Sequence, residues 1–211
     1  MEEKSQQVKR RADMDLRRKN RNRVLDMTMV SLFCVLMIVS AKISLVSFPV
    51  PLTFQLPIAV LSGTFLGWKR GIMTQALYLF MGLAGLPVFA SGGGLSYIYT
   101  PTFGFLLGFV ACAFVGGIIF DRFYRNHFTV QIEYALYVFC GVVAVVVSYM
   151  CGTAYMYIFF RFFASDGASA WTIGKVFGVA VLPFIWKDLL LVIPVVYLSK
   201  RLKYLSERVR S

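Results

Sequence analysis

The sequence predicts an all-α membrane protein: six transmembrane helices, both termini in the cytoplasm, and a Gly-rich outer loop between helices 3 and 4. Three observations carry this expectation. Only 15% of the 211 residues are charged and 58% are hydrophobic, whereas soluble domains carry about 25% charged residues. The apolar residues lie in long runs, so the bilayer is the solvent. The positive charges are sorted along the chain in the pattern that membrane topology imposes.

The first apolar run extends from Val24 to about Leu45, and the second from Phe54 to Gly67. The third covers Gly71 to Leu86, the fourth Pro101 to Phe120, the fifth Ile132 to Tyr157 and the sixth Val176 to Leu198. An upright span takes about 20 residues. Spans two and three are shorter, so they extend into their flanking loops or face a cavity rather than lipid. Residues 1–23 read as a basic cytoplasmic tail, 24–199 as the membrane domain and 200–211 as a second basic tail. The stretch before Val24 is too long and polar for a cleavable signal peptide.

Six spans put the basic groups on one side. Lys4, Lys9, Arg10, Arg11, Arg17, Arg18, Lys19, Arg21 and Arg23 precede span one. Lys69 and Arg70 lie between spans two and three, and Arg122 and Arg125 follow span four. Lys200, Arg201, Lys203, Arg208 and Arg210 follow span six. That side is cytoplasmic by the positive-inside rule. The loops at 47–53, 87–100 and 161–172 then face outward. Four, five or seven spans would scatter the charges. The net charge of +12 therefore reflects topology and contact with anionic membrane lipid, not a nucleic-acid surface.

Chemistry is concentrated in a few places. Lys187-Asp188 falls inside span six, and Asp188 lies 12 residues before Lys200, about 18 Å from the inner boundary. A carboxylate at that depth must face a partner or a polar cavity. It is either a structural ion pair locking span six or a ligand contact. Pro183 and Pro194 each free a carbonyl and bend the helix around it. Lys42, near the outer end of span one, shares this depth and can snorkel. Gln55 and Gln75 offer donor and acceptor together, which suits an amide- or urea-like ligand or an interhelical hydrogen bond.

The stretch Gly82 to Gly94 stops being helical and offers bare backbone at Gly92, Gly93 and Gly94. Irregular backbone beside a bilayer survives only under protein or water, so this loop is a candidate lid over a small-molecule site. Phe89, Tyr97 and Tyr99 flank it, as interfacial belt residues or as a cap for a ring system. Ser31, Cys34 and Ala41 form a small-residue stripe on span one, either a docking face for another membrane protein or packing inside the bundle.

Other classes are disfavoured. The nearest approach to a Walker A motif, Gly174-Lys175, is followed by Val176, so the chain has no route of that kind to ATP hydrolysis. The single histidine, His127, falls in a cytoplasmic loop, which argues against a Ser/His intramembrane protease. Cys34, Cys112, Cys140 and Cys151 lie in apolar runs without CxxC spacing, as packing residues do. No catalytic group, metal site or cofactor is expected.

These residues resemble the BioY family, the biotin-specific S components of energy-coupling factor (ECF) transporters. Gly85-Leu86-Pro87-Val88-Phe89-Ala90 followed by glycines is similar to that family's loop. Pro101-Thr102-x-Gly104-Phe105 is similar to its Gly-Pro-Thr-Gly-Gly-Tyr motif, and Val50-Pro51-Leu52-Thr53-Phe54-Gln55 to its upstream stretch. Pro183-Phe184-Ile185-x-x-Asp188-Leu189 resembles its Pro-Phe-x-Pro-Gly-Asp segment. The likeness runs from about residue 24 to 200. Thr100, Phe103 and Trp186-Lys187 depart from the pattern. Leu191 stands where a lysine is often found, which leaves Lys187 or Lys42 to meet a ligand carboxylate.

The resemblance implies a multi-pass protein of a bacterial-type cell membrane that binds biotin from outside. Its partners would be an ECF transmembrane coupling subunit and two cytoplasmic ATPase subunits. Asp188 would accept from a ureido N–H, and Gln75 or Tyr99 would serve the ureido carbonyl. Gly92–Gly94 would bring backbone N–H groups close, with Gln55, Phe89, Tyr97 and Thr102 completing the site. The alternatives are another vitamin such as riboflavin or thiamine, a membrane enzyme for lipid-like substrates, and a purely structural membrane subunit.

Overall fold

The computed structural model describes residues 2–44, 50–124, 130–163 and 171–210. Arg125, His127 and parts of the loops expected at 47–53 and 161–172 lie outside the described residues. The chain forms α1 (Glu2–Lys42), α2 (Gln55–Leu66), α3 (Trp68–Leu83), α4 (Phe103–Tyr124), α5 (Val130–Phe163), α6 (Ile173–Ala180) and α7 (Leu182–Arg210). A 3-10 turn at Leu95–Tyr99 interrupts the long α3–α4 connection. Within that connection Phe89 and Gly92 form an antiparallel bridge. The protein is an all-helical membrane protein. Four stretches are long and apolar enough to cross a bilayer, Lys9–Lys42, Phe103–Tyr124, Tyr134–Phe163 and Leu182–Ser206.

The short second element has a physical explanation. At 12 residues, α2 is about 18 Å long, too short to meet lipid along a whole crossing. It does not need to, because ten of its residues are buried by other parts of the chain. It packs against α1, α3, α4, α5 and α7 and so forms the centre of the bundle.

Lipid tails are as apolar as leucine, so helix association rests on close packing and hydrogen bonds. Around α2 the approach requires glycine. A Cβ on Gly71 would stand 2.8 Å from the Cα of Gly63, and one on Gly117 2.7 Å from the backbone of Trp68. Polar side chains tie the same seams, with Thr64 Oγ1 and Ser199 Oγ 2.6 Å apart between α2 and α7.

Two elements differ from the sequence expectation. The sixth apolar run divides at Val181 into α6 and α7. Pro183 has no N–H to give the Val179 carbonyl, and a proline sits best in the first turn of a helix. The α7 helix therefore restarts at Leu182, and Val181 ends α6 by donating to Phe177 O at 2.9 Å. The basic tail is also helical and continuous with span one, giving an α1 of 41 residues.

The two ends of the bundle are chemically distinct. At the basic end, Arg70 pairs with Asp26 at 2.7 Å, tying α3 to α1. Lys203 pairs with Asp121, tying α7 to α4, and its ammonium lies 4.7 Å from the Tyr124 ring centroid. The opposite end carries the Gly-rich connection and Lys187-Asp188.

Candidate functional site

Asp188 lies two turns into α7, and the restart of that helix at Leu182 sets its direction. Its carboxylate is only 4% exposed. Tyr149, from α5, donates its hydroxyl to Oδ2 at 2.5 Å. The Lys187 ammonium lies 3.1 Å from Oδ1 and donates to the Thr53 carbonyl just before α2. It also sits 5.3 Å from the Phe54 ring centroid. Adjacent residues on a helix point about 100° apart, so Lys187 reaches Oδ1 only by folding its stem back across the helix. Among the described residues, Oδ1 has no partner besides this ammonium. The Lys187 ammonium compensates its charge, and a carboxylate oxygen has lone-pair capacity for a further donor.

Asp188 belongs to the wall of a cavity of about 60 Å³. Gln55, Tyr97, Thr102, Lys187 and Asp188, all expected from the sequence, line it. Residues that the sequence does not assign to the site complete the wall. Tyr149 and Thr53 add polar groups, while Phe105, Leu106, Phe109 and Phe184 supply apolar faces. The signal for Tyr149 is the hydroxyl pair Ser148-Tyr149 within an otherwise apolar stretch. The aromatic residues carry none, since phenylalanine in an apolar run reads as lipid-facing or core.

The Gly-rich connection is held as a fixed wall. The Phe89 ring is fully buried against Gly82, with ring centroids 5.4 Å from Tyr78 and 4.6 Å from Tyr97. Lys42 Nζ donates to Phe89 O at 2.9 Å, and Tyr78 donates to Val88 O at 3.3 Å. Gly92 pairs with Phe89, Gly93 backs onto the Leu86 carbonyl, and Gly94 N–H donates to Gly82 O at 2.7 Å. The φ values of Gly92 and Gly94 are 121° and 105°, a region that favours glycine. Only Ala90 and Tyr97 carry this segment to the cavity.

The remaining expected residues lie elsewhere. Gln75 is 1% exposed and donates to Ser62 Oγ at 3.0 Å in the α2–α3 seam. Among the described residues its Oε1 has no partner. Tyr99 is exposed, with its ring against Phe163. Gln55 donates to the Tyr78 hydroxyl at 2.8 Å, which links the cavity to the pinned connection. On α1, Cys34 and Ala41 are buried in the bundle while Ser31 is exposed. Leu32, Val35 and Val39 also lie on the exposed face.

Fold and site together define a polytopic membrane protein with a buried acidic group in the wall of a small cavity at one end of its bundle. The profile of the BioY family matches residues 9–208, and the chain belongs to that family. It is 33% identical to the "Probable biotin transporter BioY" of Lysinibacillus sphaericus over 84% of this chain and 86% of that one. It is also 33% identical to the "Biotin transporter BioY" of Thermotoga maritima over 83% and 94%. A crystal structure of the S-component for biotin from an ECF-type ABC transporter superposes with a TM-score of 0.71. That alignment covers 88% of this chain and 94% of the other at 20% identity, and it shows the shared fold.

Proposed function

We propose that this protein captures biotin at the outer face of the cell membrane as the substrate-specific subunit of an ECF-type uptake system. One observation carries the reading. Asp188 is buried in the cavity wall, held at Oδ2 by Tyr149 and paired at Oδ1 with the Lys187 ammonium, with lone-pair capacity left there for a ligand donor. A ureido N–H is a donor suited to that oxygen. Gln55, Tyr97 and Thr102 stand around it for the ureido carbonyl and the ring edge, and Phe105, Phe109 and Phe184 are suited to cover the thiophane ring and chain. Lys187 is the nearby cation for the valerate carboxylate. Lys42, Phe89, Gly92, Gly93 and Gly94 would serve by fixing the wall, with Gln75 and Tyr99 further out.

The same reading takes six crossings, with α2 and α3 as two of them and α6–α7 as the last, and both termini inside. The basic part of α1 then meets anionic lipid near Arg17–Arg23. A transmembrane coupling subunit and two ATPases supply the energy for release, and the exposed face of α1 around Ser31 is available to the former. The chain itself performs no covalent chemistry.

Replacing Asp188 tests the reading. Asp188→Asn leaves the shape and turns a charged acceptor into a neutral one, so biotin affinity falls by at least tenfold, about 1.4 kcal/mol. Unchanged affinity in a folded variant would remove Asp188 from the site.

A further inference from the structure

The cavity holds its own cation against its own ligand-accepting oxygen. The Lys187 ammonium lies 3.1 Å from Asp188 Oδ1, and Tyr149 already donates to Oδ2. A ligand N–H that reaches Asp188 must therefore share Oδ1 with the ammonium or displace it. A displaced ammonium in this setting needs another anion, because an unpaired charge away from water is costly. A ligand that brings a carboxylate supplies that anion. A neutral ligand with the same N–H groups does not.

Lys187 also bonds the carbonyl of Thr53, and Thr53 and Pro51 form part of the cavity wall. The cavity measures about 60 Å³, while pockets for small molecules run from about 300 Å³ upward. The wall must move to admit a ligand. The 50–54 segment is the part of it outside any α-helix that Lys187 holds directly. The Gly-rich connection, by contrast, is pinned by Lys42, Tyr78 and Gly82.

We propose that Lys187 determines specificity for the acid form of the ligand: binding transfers its ammonium from Asp188 Oδ1 and Thr53 O to the ligand carboxylate. This rests on the biotin reading above and deepens it. Recognition of the two ends of the ligand is then coupled, since the N–H stops sharing Oδ1 when the carboxylate takes Lys187. Release of the Thr53 carbonyl in the same step frees the wall that has to move.

The test is a pair of titrations on the purified full-length protein, with biotin and with its neutral primary amide. The unaltered protein binds the acid at least tenfold more tightly than the amide. In Lys187→Met that ratio collapses toward one, with biotin weakened and the amide equal to or tighter than in the unaltered protein. Lys187→Arg keeps a cation in place and retains a preference for the acid, which separates loss of charge from loss of fold. An unchanged acid-to-amide ratio in Lys187→Met would overturn the inference while leaving the biotin reading intact. Absence of biotin binding to the unaltered protein would sink both.

Discussion

Asp188 is held by two groups that act differently. Lys187 is its neighbour on the same helix, whereas Tyr149 reaches it from α5 and fixes the direction of the carboxylate. Tyr149→Phe removes one hydrogen bond to a charged group, worth about 1.5–3 kcal/mol, and leaves Oδ2 buried without a donor. Biotin affinity falls about tenfold or more, and the thermal midpoint of the detergent-solubilised protein drops. An affinity equal to that of the unaltered protein would mean that Tyr149 does not orient the acid. Asp188 is legible in the sequence because a carboxylate inside an apolar run is expensive and so announces a partner or a cavity. The identity of the partner is not legible. Tyr149 is 39 residues away along the chain, and nothing in its surroundings says that it faces α7. Of the five cavity residues expected from the sequence, Gln55, Lys187 and Asp188 are marked by a polar group within an apolar run, Tyr97 by its place beside the glycines and Thr102 by the family resemblance. Phe105, Phe109 and Phe184 have no polar group to mark them.

At the scale of elements, the apolar runs locate the helices because membrane length is a strict requirement. The breaks are harder to place. The sequence predicts a bend at Pro183 within one long span, whereas the missing N–H ends α6 and starts α7. The shortness of α2 is visible in the sequence, but its burial on nearly every side depends on glycines that meet only in three dimensions. Gly117 illustrates the point, since a Cβ there would lie 2.7 Å from the Trp68 backbone. Gly117→Leu forces α4 away from α3 and destabilises the bundle by about 1–3 kcal/mol or more. The check is the unfolding midpoint in detergent, and a midpoint equal to that of the parent would contradict the packing account. Lys42 gives a second element-scale prediction. Lys42→Met removes the shorter of two donors to the Phe89 carbonyl and leaves only the Gly92 N–H at 3.3 Å, so the 87–94 segment becomes more readily cleaved by added protease while the helices stay intact. Protection equal to the parent's would show that Lys42 does not pin it.

For the whole molecule, the charge pattern and the structure agree on two dissimilar ends. Ion pairs among Asp26, Arg70, Asp121 and Lys203 gather at the end that carries most of the cations, and the cavity lies at the other. Topology predicts that a cysteine at Ser96, in a cysteine-free background, reacts with an impermeant maleimide from outside intact cells. A cysteine at Lys69 reacts only after permeabilisation. The reverse pattern would invert the orientation. The proposed division of labour, with energy supplied by ATPase partners, also predicts that the protein alone in liposomes binds biotin without concentrating it. Capture of biotin precedes any transport, and calorimetric titration of the purified protein with biotin, with riboflavin and thiamine as controls, tests it most directly. Saturable one-to-one binding of biotin and of neither control is the predicted result. No heat with biotin, from protein shown to be folded, would contradict it.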